Sequence, residues 1–142
     1  MRVIRPLIVL LAIGALVGAC SSSGDSSGDA SDAVTTLAPE DVKAPAAAVT
    51  KGLNEIKGFA DEVAATAGTD KAAAQAASDK IEPVWMTIEG TVKSNDEEIY
   101  LTFEDSFTTL ANAADSGDAA SAKTAAADVT NAVQDYLAKY PG

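Results

Sequence analysis

The stretch EIYLTFEDSFTTLANAADSGD, residues 98–118, gives the clearest indication of how this chain folds. Its apolar side chains recur every three or four positions, at Tyr100, Phe103, Phe107, Leu110 and Ala114. Such spacing places these side chains on one face of an α-helix. Gly117 then predicts the end of that helix, and Asp118 predicts the cap of another. Because the connection is short, the two helices should run antiparallel.

Three further apolar patterns of helical spacing surround this stretch. The segment from about residue 40 to 67 carries two interleaved seven-residue rows: Val42, Val49, Ile56 and Val63, with Ala46, Leu53, Ala60 and Ala67. Gly68 predicts its end. A second helix should start near Thr69 or Asp70, with its face at Ala74, Ala77, Ile81, Val84, Ile88 and Val92. The helix after Asp118 has its face at Ala122, Ala126, Val129, Val133, Tyr136 and Tyr140.

Two local signals refine these helices. Pro83 lacks the N–H that would bond to the carbonyl of Asp79, so we expect a kink in the second helix. Ser94 or Asn95 should cap the third helix, with Glu97 completing a capping box from Ser94. No alternation typical of strands persists over residues 39–142. The sequence therefore predicts an all-α domain at residues 39–142, an up-down-up-down four-helix bundle.

The first twenty residues, MRVIRPLIVLLAIGALVGAC, have the pattern of an export signal. Two arginines precede an apolar run from Leu7 to Val17, which is short for a membrane span. Residues 17–20, VGAC, resemble the lipobox of bacterial lipoproteins. That resemblance implies a lipoprotein signal peptide at residues 1–19, and a Cys20 that carries acyl chains such as palmitate. An uncleaved anchor and a plain secretory signal are the alternatives.

Residues 20–38 should form a flexible tether after the lipidated Cys20, because Ser, Gly and Asp dominate them without an apolar face. This organisation predicts a protein anchored by lipid on the extracytoplasmic side of the cell membrane. Ser21, in place of aspartate after the cysteine, would permit sorting to the periplasmic side of an outer membrane in a diderm host.

Composition excludes several functions. Of 10 basic and 21 acidic residues, removal of Arg2 and Arg5 leaves 8 against 21, a net charge of -13. Such a chain repels nucleic acid and attracts cations. Histidine is absent and Cys20 is the sole cysteine, so no Ser-His-Asp triad or Cys-His pair can form. We expect no enzymatic activity, and a hydrolase using two of Glu82, Glu89 and Glu104 is the minor alternative.

Carboxylates are the remaining candidates for a site. Glu82 and Glu89 lie two helical turns apart with Trp85 between them, and Glu104 and Asp105 lie on a helix that could face them. Facing carboxylates are how helical bundles bind hard metal ions. The alternative from spacing alone is an ordinary solvated helix edge, with Trp85 in the core.

Residues 81–107, IEPVWMTIEGTVKSNDEEIYLTFEDSF, resemble the small extracytoplasmic helical domain found with bacterial Ftr-type iron permeases and their Efe-type periplasmic partners. The matching positions are Glu82, Trp85, Glu89, Tyr100, Glu104 and Asp105. The resemblance implies metal binding by Glu82, Glu89, Glu104 and Asp105, a binding role for Trp85 and Tyr100, and iron or another divalent or trivalent cation as cofactor. The histidine-containing metal motif and the transmembrane helices of that system are absent.

Two functions follow as hypotheses. The first is a lipid-anchored, non-enzymatic accessory of iron transport, with an iron permease or another envelope protein as partner. The second is an envelope lipoprotein that acts as a protein–protein interaction or structural module without metal.

Overall fold

The computed structural model describes residues 38–142. The predicted signal peptide, the lipidated Cys20 and the tether as far as residue 37 lie outside the described residues. Over residues 38–142 the chain is helical and contains no strand, which confirms the all-α class. Its elements are a 3₁₀ turn at Pro39–Asp41, then α1 (Ala46–Thr66), α2 (Lys71–Ser78), α3 (Ile81–Trp85), α4 (Glu89–Asn95), α5 (Glu97–Ser116) and α6 (Ala119–Lys139).

The first helix starts later than the sequence suggests, at Ala46 rather than near residue 40. Pro45 is its extended N-cap, and the residue before a proline is itself disfavoured in a helix. The preceding segment is instead bound to α4. Lys43 Nζ donates to the carbonyl of Gly90 at 2.7 Å, and the amide of Ala44 donates to Thr91 Oγ1 at 2.7 Å. We call residues 39–45 the strap.

The predicted second helix is not continuous, because α2, α3 and α4 occupy the region where one helix was expected. Pro83 has no N–H to offer to a preceding carbonyl, so the chain starts a new helix at Ile81. Pro83 then lies in the first turn of α3, where a missing N–H removes no intrahelical bond. A second interruption separates α3 from α4 at residues 86–88. Its last residue, Ile88, has a φ of -126°.

The caps differ from the sequence prediction at α5 and agree with it at α6. Asp96, not Ser94 or Asn95, caps α5 by accepting the amide of Ile99 at 3.1 Å. Asp118 caps α6 as predicted, through bonds from the amides of Ala120 and Ser121. Each of these carboxylates satisfies amides that have no partner inside the helix.

Two glycines have specific roles at helix ends. Gly117 follows α5 with φ 75°, the left-handed conformation that glycine adopts without steric cost, as predicted for a helix stop. Gly68 lies one residue past the C-cap of α1, where a Cβ would come within 2.9 Å of the Ala119 Cβ. Glycine at position 68 therefore allows close approach to the start of α6.

The helices share a single apolar core. α1 packs against α2 and α6, and α5 packs against α2, α4 and α6. The largest fully buried side chains are Trp85, Tyr136, Phe103, Leu53, Ile56, Ile88, Leu110, Val49, Val63, Val92 and Val129. Most of these belong to the predicted apolar faces. No helix within residues 38–142 is both long and apolar enough to cross a membrane.

Candidate functional site

Trp85 lies at the end of α3 and is 1% exposed. Its ring contacts three aromatic side chains of α5. Tyr100 stacks on it with centroids 5.8 Å apart and planes 19° from parallel, and both Phe103 and Phe107 lie at 5.2 Å. These four residues form what we call the aromatic cluster. Trp85 is thus a core residue, and its packing joins the short helix α3 to α5.

The indole of Trp85 also positions a carboxylate. Its Nε1 donates a hydrogen bond to Glu104 Oε1 at 2.6 Å. This bond satisfies the one polar atom of a buried tryptophan, as buried polar groups require. Glu104 itself is half-buried, so its carboxylate is held between the aromatic cluster and solvent.

A groove runs between α2 and α5, and Glu82 and Glu104 both line it. It consists of two adjoining cavities that share Ser78, Asp79 and Ala111. The cavity with Glu82 and Glu104 measures about 340 Å³, and the cavity with Gln75 and Asp115 about 400 Å³. We call the two together the α2–α5 groove. The structure therefore brings together two of the four predicted metal ligands.

Asp105 lies elsewhere, although the sequence grouped it with Glu104. Successive residues of an α-helix point about 100° apart, so neighbours on α5 face different helices. Asp105 lines a separate groove of about 410 Å³ between α5 and α6, together with Glu98, Asp128, Asp135 and Lys139. We call this the α5–α6 groove.

Sequence reasoning missed the acidic lining of the α5–α6 groove. A signal was present, because Glu98 and Asp105 lie seven residues apart on α5, and Asp128 and Asp135 lie seven apart on α6. Side chains seven apart share one helix face. The helix faces were assigned from the apolar residues alone, so the acidic residues that recur seven apart on α5 and α6 were not recognised as a second pattern.

Glu89 is separated from Glu82 by the interruption before α4. It is the first residue of α4 and half-buried, whereas Glu82 lies in the first turn of α3. The expectation that both lie on one helix, two turns apart, is therefore wrong. Among residues 38–142, no group of three or more Asp, Glu, His or Cys side chains is placed to hold a metal ion.

A network at the C-terminal end of α6 holds the junction between α4 and α5. Asn95 Nδ2 donates to Tyr136 Oη, and Tyr140 Oη donates to the carbonyl of Asn95, both at 2.7 Å. Lys139 Nζ pairs with Asp96 Oδ2 at 2.9 Å. Sequence reasoning assigned the two tyrosines to the packing face of α6 only.

Three side chains of this network have shifted pKa values. The amide of Ile99 and then Lys139 lower the pKa of Asp96, and the same carboxylate raises the pKa of Lys139. Burial raises the pKa of the Tyr136 phenol. At neutral pH the Asp96–Lys139 pair is therefore charged, and the Tyr136 phenol is neutral.

No family model, curated protein or solved structure matches the chain. The resemblance of residues 81–107 to iron-uptake domains stays a prediction.

Proposed function

We propose that this chain is a lipid-anchored, extracytoplasmic helical protein that assists metal uptake without catalysing a reaction, with iron as the first candidate metal. In this proposal α1, α2, α5 and α6 are the members of an antiparallel four-helix bundle, and α3 and α4 bridge α2 to α5. One observation carries the proposal: the hydrogen bond from Trp85 fixes Glu104 on the same groove as Glu82.

Because the site offers only two carboxylates, we expect its affinity for a cation to be low. Hard cations such as iron take several oxygen ligands, so Glu82 and Glu104 would leave most positions to water or to a partner. Binding of this kind is weak and exchangeable, which suits an accessory that passes a cation to a permease. The net charge of -13 for residues 20–142 would raise the local cation concentration.

The chain carries its own reporter for the metal proposal. Trp85 is the sole tryptophan, and its indole N–H bonds to the carboxylate that would bind the cation. A cation at Glu104 competes with that hydrogen bond, so the fluorescence of Trp85 should change. We propose to titrate the full-length chain in detergent with ferric, ferrous, copper and manganese ions, following fluorescence and heat.

A matched pair of variants locates the binding. Glu82→Gln with Glu104→Gln removes two charges from the α2–α5 groove, and Glu98→Gln with Asp105→Asn removes two from the α5–α6 groove. The first variant should lose the response and the second should keep it. Absence of binding by any of these ions, or equal loss in both variants, would refute the metal proposal.

Lipid anchoring is tested separately at Cys20. Two acyl chains anchor a protein stably, since each buried methylene contributes about 0.8 kcal/mol. Cys20→Ser should release the chain to the soluble fraction or leave an unprocessed precursor, as measured by fractionation and mass spectrometry. Normal processing with unchanged membrane retention would contradict lipidation.

A second candidate function, a protein–protein interaction module without metal, is favoured by two exposed apolar side chains. Met86 is 43% exposed and Leu101 is 54% exposed. A photo-crosslinking amino acid at position 101, in native membranes, should then capture a defined envelope protein with or without a chelator. Capture that requires metal would favour the first function instead.

A further inference from the structure

The α2–α5 groove extends well beyond Glu82 and Glu104. Along α5 it runs from Glu104 to Asp115, eleven residues or about 17 Å at the rise of an α-helix. Apolar side chains, including Ile81, Phe107 and Ala111, contribute to its lining. Such a surface can accept the aliphatic part of a long side chain while a charged head stays at the edge.

The charged side chains that line the groove are acidic. Asp79, Glu82, Glu104 and Asp115 line it, and no lysine of residues 38–142 is among the lining residues. Lys80 is close in sequence but pairs with Glu62 at 3.6 Å. At the far end, Lys71 bonds to the carbonyl of Asp115 and lies 3.9 Å from its carboxylate, which also accepts a hydrogen bond from Gln75 Nε2. Asp79 and Glu82 form no ion pair within the described part of the chain.

Two of these carboxylates occupy helix ends that disfavour them. Asp79 is the C-cap of α2, and Asp115 lies in the last turn of α5. The C-terminal end of a helix carries partial negative charge and favours cations. Neither helix has a basic residue in its own last turn, although Lys71 of α2 bonds to the Asp115 carbonyl at the end of α5. Both helix ends add to the negative potential of the same cavity, which contains Asp79 and Asp115.

We propose that the α2–α5 groove binds an extended, lysine- or arginine-bearing segment of a partner protein. About five extended residues span 17 Å at roughly 3.3 Å per residue. Basic side chains would neutralise the carboxylates and the helix ends, while their aliphatic stems cover the apolar lining. The proposal does not depend on metal binding, because Asp79 and Asp115 lie outside the Glu82 and Glu104 pair.

The test uses the full-length chain in detergent and a labelled six-residue peptide that alternates lysine and alanine. Fluorescence anisotropy at low salt should show binding, and salt well above physiological strength should abolish it. Asp79→Asn with Asp115→Asn should weaken binding about fivefold, since two charge pairs are lost. Circular dichroism checks that the variant folds, and position 115 keeps the carbonyl that accepts from Lys71.

The control removes the same charge from the α5–α6 groove by Asp128→Asn with Asp135→Asn, and should leave affinity within about twofold. Equal weakening by both variants would overturn the proposal, because it would show attraction to overall charge. Binding of spermine with the same affinity and the same variant dependence would also overturn it. If metal titration fails while the peptide separates the two variants, the metal proposal falls and this one stands.

Discussion

Two regions of the molecule build helices in different ways. α1, α5 and α6 are uninterrupted over 21, 20 and 21 residues, whereas α2, α3 and α4 have only 8, 5 and 7. Both regions supply fully buried side chains to one core, such as Leu53 from α1 and Trp85 from α3. Continuity of a helix and contribution to the core are therefore separate properties.

The difference follows from how each region is stabilised. The long helices rely on apolar stripes that repeat over five turns; carboxylate caps do not separate the regions, since Asp96 and Asp118 cap α5 and α6, Asp70 caps the short α2, and α1 has no side-chain cap. The short helices rely on a few large contacts, above all the stacking of Trp85 on α5. Asp79 and Glu82, which lie on either side of the start of α3, both line the α2–α5 groove.

The strongest way to break this comparison is to remove Trp85. Trp85→Ala deletes the centre of the aromatic cluster and should lower the free energy of unfolding by about 3–5 kcal/mol, as for other buried aromatic residues. Leu53→Ala in α1 should cost about 2–5 kcal/mol. Urea unfolding measures both. A loss below about 1 kcal/mol for Trp85→Ala would show that the short helices are peripheral to stability.

The second prediction compares the effect of proline in a long helix with its effect in a short one. Thr109→Pro in the middle of α5 should cost about 3 kcal/mol or more, because it removes a hydrogen bond and clashes with a carbonyl. Pro83→Ala should change stability by less than about 1 kcal/mol, since Pro83 lies in a first turn. Thermal unfolding followed by circular dichroism compares them, and similar costs at the two positions would contradict our account of the interruption.

The smallest effect concerns the junction between the two regions and depends on pH. The pKa of Asp96 is lowered in the folded chain, so its carboxylate stabilises the fold at neutral pH. That contribution disappears as the pH falls through the lowered pKa. Asp96→Asn should therefore be less stable than the parent chain at pH 7, with the difference vanishing at acid pH.

Denaturant titrations of both chains at a series of pH values measure this difference. Asp135→Asn on α6 is the control, because Asp135 has no ion pair within residues 38–142. A stability gap for Asp96→Asn that stays constant from neutral to acid pH would contradict the role of the carboxylate.

Periodicity in the sequence predicted the long helices well. The stripes of α5 and α6, the left-handed Gly117 and the cap at Asp118 are all in the structure. These features depend on local spacing and on single residues with strong preferences. The start of α1 differs from the prediction for two reasons: Pro45 is an extended N-cap, and the strap is held by Gly90 and Thr91, which are distant in sequence.

The candidate site was harder to predict for a related reason. Pro83 indicated a kink, but a kink and a full break differ in where Glu89 lies relative to Glu82. Neighbouring carboxylates on α5 also separated, with Glu104 bound to Trp85 and Asp105 in the other groove. Residue spacing along one helix does not show which neighbouring helix each of its faces meets, because that depends on tertiary packing.

The strap has a mechanical consequence. A load applied to the chain ahead of Ala38 reaches α4 before α1, because Lys43 and Ala44 are bonded to Gly90 and Thr91. Thr91 reinforces the contact, since its hydroxyl accepts from the Ala44 amide and lies 3.3 Å from the Ala44 carbonyl. Tension would therefore pull on the short helix next to the aromatic cluster and spare the N-terminal end of α1 until these bonds rupture.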